Sequence, residues 1–458
     1  MIHTLPRKLL LAGRSCTSMY FAALGLLPGA LLSGAPVVQA ENLLDIYRLA
    51  QQNDLILVQA QANYQANLER GAQGTGQLLP TVAFNAARYS VSQDIQQPAP
   101  PYTNDYDSDA YSLQLTQPLY RKSNFAAYAQ GKAIASQAEA ELAIAQDDML
   151  LRSVQTYFDV LSAEDTLAFA RTEKAAIEGQ LHLAERNFAV GNATVVDVHE
   201  ARARYDLAVA QEVSADNELQ ARREALTVLV NASPEKLATL KPNLPLQQPE
   251  PRDMESWNRT AQEKNPLIQA QDRAVKVAEE EIEKNRGGHY PTLDLVASHG
   301  YNKNSNIFSP TTYEYTTNQV GVQLQVPLYA GGITQSRVRE AEARRDQARA
   351  ALDQARRSVT RQIREAYLAI TGGIARVRAL EQAQVSSKKA LESTLIGYES
   401  GVRTGVDVLN SQRDLYRTQR DLSQARYAYL LSQLRLKFVA GTMSEADLGD
   451  LNALLTGG

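Results

Sequence analysis

Two periods of apolar and polar residues divide this chain. In its longer stretches apolar residues fall three and four apart, as at Leu151, Val154, Phe158 and Leu161, and again at Ile363, Tyr367, Ile370, Ile374 and Val377. That spacing lines one face of a helix in the manner of a coiled coil. Proline breaks helix interiors, and none occurs over 41–79, 119–233 or 328–458. The pattern predicts long helices over 124–188 and 333–398, each about 100 Å at 1.5 Å per residue. Helices of about half that length are predicted over 44–77, 194–230, 254–286 and 404–438. In the last of these Val408, Leu415, Leu422, Tyr429 and Leu436 recur every seven residues. Three positions after each stand Ser411, Thr418, Ala425, Ser432 and Val439, and Ala201, Ala208 and Ala215 match them earlier in the chain. Alternating large and small layers let neighbouring helices approach closely.

Four short segments change period to two. Tyr111 to Gln117 and Val320 to Val326 alternate apolar and polar residues strictly, and the segments beginning at Val82 and Leu293 do so less perfectly. They predict strands near 81–90, 111–119, 292–301 and 319–328, roughly the 9–11 residues that a tilted membrane strand needs. A half-buried soluble hairpin shares this alternation. Glutamines on the second face and polar tips over 91–109 and 302–318 favour the membrane reading.

The chain also repeats itself. The segment from Phe188 through Gly191, Thr194 and Asp197 to Val198 returns as Tyr398, Gly401, Thr404, Asp407 and Val408. Pro118-Leu119-Tyr120 returns as Pro327-Leu328-Tyr329, and Pro80-Thr81 as Pro291-Thr292. Two copies of one unit, over 41–245 and 246–458, predict a pseudo-symmetric body of strands and very long helices. Four strands per chain cannot close a barrel, since small barrels need about eight, and open edges are not tolerated in lipid. Oligomerisation through the strands is therefore expected.

Composition narrows the compartment. Arg7, Lys8 and Arg14 precede an apolar stretch from Met19 to Leu32, and Val38-Gln39-Ala40 forms a small-residue cleavage site. Residues 1–40 thus read as a secretory signal. The single cysteine, Cys16, lies within it. After Ala40 there are 44 basic and 51 acidic residues, a balance that argues against nucleic acid as a partner. With 21% charged residues and a mean hydropathy of −0.34, no later stretch reads as a membrane-spanning helix, although an exported chain can still enter a membrane as a β-barrel.

Catalytic chemistry finds no footing. Histidines 3, 182, 199, 289 and 299 lack metal-ligand spacing, and no nucleophile motif appears. Gly71, Gly74 and Gly76 sit at a helix-to-strand junction, the reverse of the order a phosphate loop requires. No enzyme activity, cofactor or metal is expected. Gly191 and Gly401 suit the left-handed end of a helix, and Thr194 and Thr404 suit the N-cap of the next. Asp197 and Asp407 fall in the first turn, where the helix dipole already favours a carboxylate. Capping and function stay open for both.

At these residues the chain resembles the TolC family of outer-membrane channel proteins. The markers are Leu79-Pro80, Tyr290-Pro291, Val326 to Tyr329 with Gly331-Gly332, Tyr398 to Leu409, and Ala425 to Leu430. The resemblance covers nearly all of the chain after residue 40. It implies an α+β membrane protein in the outer membrane of a Gram-negative bacterium. Three chains would share a twelve-stranded barrel continued by a twelve-helix periplasmic tunnel. It implies as partners a periplasmic adaptor and an inner-membrane transporter, ABC-type or proton-driven, with proteins or small toxic compounds as cargo. Asp197, Tyr398 and Arg403 match the periplasmic gate of such channels, and Asp407 a residue lining the constriction. The helix-hairpin tips, Val190-Gly191-Asn192 and Ser400-Gly401-Val402, are expected to meet the adaptor, since their glycines leave backbone open to close approach. Two departures stand out. Asn410 replaces a second constriction aspartate and Val196 a threonine, while Glu200 takes the first-copy position equivalent to Asn410. The alternative from another class is a periplasmic coiled-coil protein with a soluble docking sheet and no pore.

Overall fold

The computed structural model describes residues 41–97, 100–234, 236–305 and 312–456. The signal-like segment 1–40 lies outside them. In order, the elements are α1 Leu43–Asn53, α2 Leu55–Gly76, β1 Thr81–Ile95, β2 Tyr102–Tyr120, α3 Lys122–Ala189 and α4 Val195–Val230. The second copy runs α5 Met254–Lys264, α6 Pro266–Arg286, β3 Thr292–Ser305, β4 Thr312–Gln325, α7 Ile333–Glu399 and α8 Gly405–Ala440, with a short α9 Glu445–Asn452 added.

The long helices α3 and α7 have 68 and 67 residues and begin and end within two residues of the limits their periodicity predicts. Around them the neighbours form two tiers. Near the sheet α2 packs on α3, α3 on α6 and α6 on α7; at the far end α4 packs on α3, α3 on α8 and α8 on α7. The heptad layers of α8 lie inside, with Val408, Leu415, Leu422, Tyr429 and Leu436 all buried. Ala201, Ala208 and Ala215 are likewise buried along α4.

Two expectations need correction. The predicted helices over 44–77 and 254–286 are each broken in two, at Asp54 and at Asn265. Both residues leave helical backbone and cap the helix that follows. Pro266 removes a helical donor in the second copy, and Asp54 marks the break in the first. The strands also run further than their alternation suggests. β1 pairs with β2 in unbroken register from Thr81 opposite Thr116 to Ile95 opposite Tyr102. Much of the supposed loop 91–109 is therefore strand, because polar side chains do not weaken a ladder whose backbone bonds are all made. β4 stops at Gln325, before Pro327.

The sheet is antiparallel in the order β1-β2-β3-β4. Close backbone approach joins the helices beneath it, and one ion pair ties it to them. A Cβ on Gly131 of α3 would stand 2.5 Å from the Arg70 carbonyl of α2, and one on Gly287 would stand 2.6 Å from the Ser123 nitrogen. Arg121, between β2 and α3, donates from Nε and Nη2 to the two carboxylate oxygens of Asp294 on β3, at 2.8 and 2.6 Å. Such a bidentate pair fixes orientation as well as distance.

Candidate functional site

The two turns farthest along the helices from the sheet have the same geometry. At the end of α3 the Gly191 nitrogen donates to the Phe188 carbonyl at 3.0 Å and the Asn192 nitrogen to the Asn187 carbonyl at 2.8 Å. At the end of α7 the Gly401 nitrogen donates to Tyr398 at 3.0 Å and Val402 to Gly397 at 2.8 Å. Gly191 and Gly401 have φ of +82° and +74°, a region costly for any residue with a Cβ. No heavy atom stands within 4 Å of where either Cβ would lie, so conformation alone demands glycine there. Val190 and Val402 are exposed beside them.

The next turn is closed by matching capping boxes. Asp197 Oδ2 accepts from the Thr194 nitrogen at 2.9 Å and from its hydroxyl at 2.7 Å, and the Asp197 nitrogen donates back to the hydroxyl at 3.3 Å. Asp407 and Thr404 repeat this at 3.0, 3.0 and 3.3 Å. These bonds hold both carboxyls below their ordinary range. The Thr194 hydroxyl leads at Asp197 and the Thr404 backbone at Asp407. Capping, one of the two roles left open for these aspartates, is thus met. In each box only Oδ2 is used.

The other candidate residues fall around these caps. The Tyr398 hydroxyl accepts from Asn187 Nδ2 at 3.3 Å, joining the ends of α7 and α3. The Arg403 side chain lies over Gly397, where a Cβ would meet its Cγ at 2.7 Å. Among the described residues no ion pair joins Arg403 to Asp197 or Asp407. Asn410 Oδ1 accepts from Arg204 Nη2 of α4 at 3.4 Å, and Arg204 also faces Glu200 at 3.8 Å. Asn187, Gly397 and Arg204 were not singled out in the sequence. A glycine in the last turn of a long helix was the one available signal, for Gly397.

Two copies of helix, hairpin, long helix and capped half-helix match one family model twice, that of the outer membrane efflux protein, over residues 46–232 and 257–442. The chain belongs to the outer membrane efflux protein family. It is 36% identical over 434 residues to the outer membrane protein TolC of Vibrio cholerae, covering 94% of this chain and 96% of that one. It is 34% identical to the alkaline protease secretion protein AprF of Pseudomonas aeruginosa, over 89% and 86% of the two chains. The fold is shared with the Campylobacter jejuni CmeC outer membrane channel, with a TM-score of 0.75 at 16% identity over 90% and 89% of the chains. The two family matches end at 232 and 442, just past the left-handed caps Asn231 and Gly441 that close α4 and α8. In this family member the repeat seen in the sequence is therefore a repeat of the fold, and the capped tips are corresponding points of its two halves.

Proposed function

We propose that this protein is the outer-membrane exit duct of a tripartite export system, formed by three copies of the chain. The observation that carries this reading is the sheet. One face holds Val82, Phe84, Leu113, Val320, Val322 and Leu324, all exposed in the single chain, and the other is rich in uncharged polar residues. β1 and β4 are its open edges. A sheet is accepted in lipid only as a closed barrel, and three copies joined from β4 to β1 give twelve strands. The helices below continue the wall across the periplasm. They end in the two glycine tips, which meet a periplasmic adaptor that links the duct to an inner-membrane transporter. Names of relatives favour proteins as cargo, since AprF and the Dickeya chrysanthemi PrtF, 33% identical over 92% of this chain, are secretion proteins for proteases.

Asp197, Tyr398 and Arg403 form the periplasmic gate in this reading, with Asp407 and Asn410 lining its constriction. Three features support it. Each aspartate keeps one carboxylate oxygen outside its capping box. Tyr398 accepts from Asn187 and so retains its own proton for donation. Arg403 forms no ion pair among the described residues of one chain and acts on Asp407 only through space, so its guanidinium is open to a partner across the gate. Asn410 meets Arg204 rather than forming a second acidic ring, so block by multivalent cations should be weak. In planar bilayers Arg403→Ser and Tyr398→Phe should each raise single-channel conductance, and the pair should raise it further. Unchanged conductance in the double variant would refute the gate. A soluble monomer, in place of heat-modifiable trimers in outer-membrane fractions, would refute the duct itself.

A further inference from the structure

Duplication lets one chain display a joint that its own edges lack. In the middle of the chain the first half meets the second, where β2 pairs with β3 and α3 packs on α6. At one edge stand β4 and α7, the counterparts of β2 and α3. At the other stand β1 and α2, the counterparts of β3 and α6. Among the described residues these two edges do not meet.

Three observations mark the edges as halves of the same joint. Counted from the helix breaks at Asp54 and Asn265, Gly76 corresponds to Gly287. A Cβ on Gly287 would stand 2.6 Å from the Ser123 nitrogen of α3, whereas no heavy atom of the described residues lies within 4 Å of the same point on Gly76. Gly76 has no left-handed backbone either, so nothing in its own chain asks for glycine at this helix end. Exposure tells the same story. Leu119 and Tyr120, beside β3, are 47% and 39% exposed, while their counterparts Leu328 and Tyr329 are 93% and 88% exposed.

Charge is the third observation. Across the inner joint Arg121 pairs with Asp294, and Gln130 Nε2 donates to Glu281 at 2.6 Å. The counterparts of the ion pair are Ala330 and Ala83, so both charges are missing together and neither would be left alone. Counted from the tip glycines and from the helix breaks, Gln130 and Glu281 correspond to Glu340 and Arg70, which have opposite charge. Glu340 meets Arg344 on its own helix at 2.6 Å, and Arg70 has no carboxylate partner among the described residues.

We propose that α7 of one copy packs on α2 of the next as α3 packs on α6 within the chain. The start of α7 at Ile333 then lies against Gly76 of the next copy, and Glu340 faces its Arg70. The inference rests on the trimeric duct proposed above and adds a helical seam beneath the strand joint. Glycine allows the two backbones to meet, and Ile333, 57% exposed in the single chain, leaves water there. Six equivalent joints, three within chains and three between them, complete one ring.

Within one chain Gly76→Ala fills open space and favours the helix. Across the seam it should collide, lowering by several degrees the temperature at which trimers dissociate on unboiled gels. Residues 41–458 contain no cysteine, so Arg70→Cys with Glu340→Cys in the full-length chain reports the seam directly. A short thiol cross-linker added to outer-membrane vesicles should give covalent dimers and trimers. Arg70→Cys with Gln354→Cys, about 21 Å further along α7 at 1.5 Å per residue, should give several-fold less. Trimers that keep their stability in Gly76→Ala, or that fail to cross-link through the first cysteine pair, would overturn the seam and leave the duct standing. Equal cross-linking by the second pair would overturn it as well. A wild-type protein that never forms trimers would overturn both readings together.

Discussion

The two halves of this molecule make the same break in the same helix with different chemistry. In the first half Asp54, 5% exposed, caps the Ile56 nitrogen at 2.9 Å and turns its other oxygen to the Arg152 guanidinium of α3. Arg152 reaches Asp148 as well, at 3.0 Å, while its Nε is buried without a partner among the described residues. In the second half Asn265, 6% exposed, caps Leu267 and Ile268 at 2.9 and 3.1 Å, and its Nδ2 donates to the Val439 carbonyl of α8 at 2.8 Å. One break is held by a buried ion pair and the other by a neutral amide that satisfies every atom it buries. Duplication kept the backbone event, and the side chains that hold it diverged. A buried charge is worth little while paired and costs much once its partner goes, whereas an amide loses only its own bonds.

The comparison is most sharply tested by removing one partner in each half. Arg152→Ala leaves the buried Asp54 carboxylate without its counter-charge, with only the cap to the Ile56 nitrogen, and should destabilise the protein by about 3–5 kcal/mol. Asn265→Ala loses a cap and one buried bond, about 1–3 kcal/mol. Thermal melts of the detergent-solubilised protein should rank them in that order. The reverse order would mean that the ion pair is not what holds the first break. Replacing the pair with Asp54→Asn and Arg152→Leu together should recover much of the loss.

The far ends of the half-helices differ too. Gly441, at φ +67°, fits against the Lys264 carbonyl so tightly that a Cβ would collide with backbone, whereas Asn231 takes the same left-handed conformation, at φ +53°, in the first half. Gly441→Ala should therefore cost about 1–3 kcal/mol and Asn231→Ala distinctly less, by the same melts. Equal costs would place the demand on conformation alone.

At the tips the halves agree, and the smallest effects are expected there. Thr194→Ala and Thr404→Ala should each cost about 1 kcal/mol and match one another, read as faster amide hydrogen exchange in the first turns of α4 and α8. Both aspartates in these boxes have lowered pKa values when folded. Their contribution is thus complete above the ordinary carboxylate range and is lost as pH falls through the lower folded values. The gap between each variant and the wild type should narrow in that acid range and stay constant at neutral pH.

The long helices and their caps were legible in the sequence because a helix is written locally. A three-four period, the absence of proline and a glycine followed by threonine and aspartate all act within a few residues of the structure they specify. The same holds for strand alternation, which together with the repeat and the family markers points to the outer-membrane duct. What the sequence left open lies between residues far apart along it. Asp54 and Arg152, Asn265 and Val439, Asn187 and Tyr398, and Arg204 and Asn410 are 98, 174, 211 and 206 positions apart, and no local period records such a meeting. The length of the β1–β2 ribbon belongs with them. Its residues read as a polar loop until backbone pairing, indifferent to side-chain polarity, carries the strands on. Only the tertiary structure brings these partners together, and with them it decides where the helices break, what the caps at the tips face, and how far the strands of the sheet run.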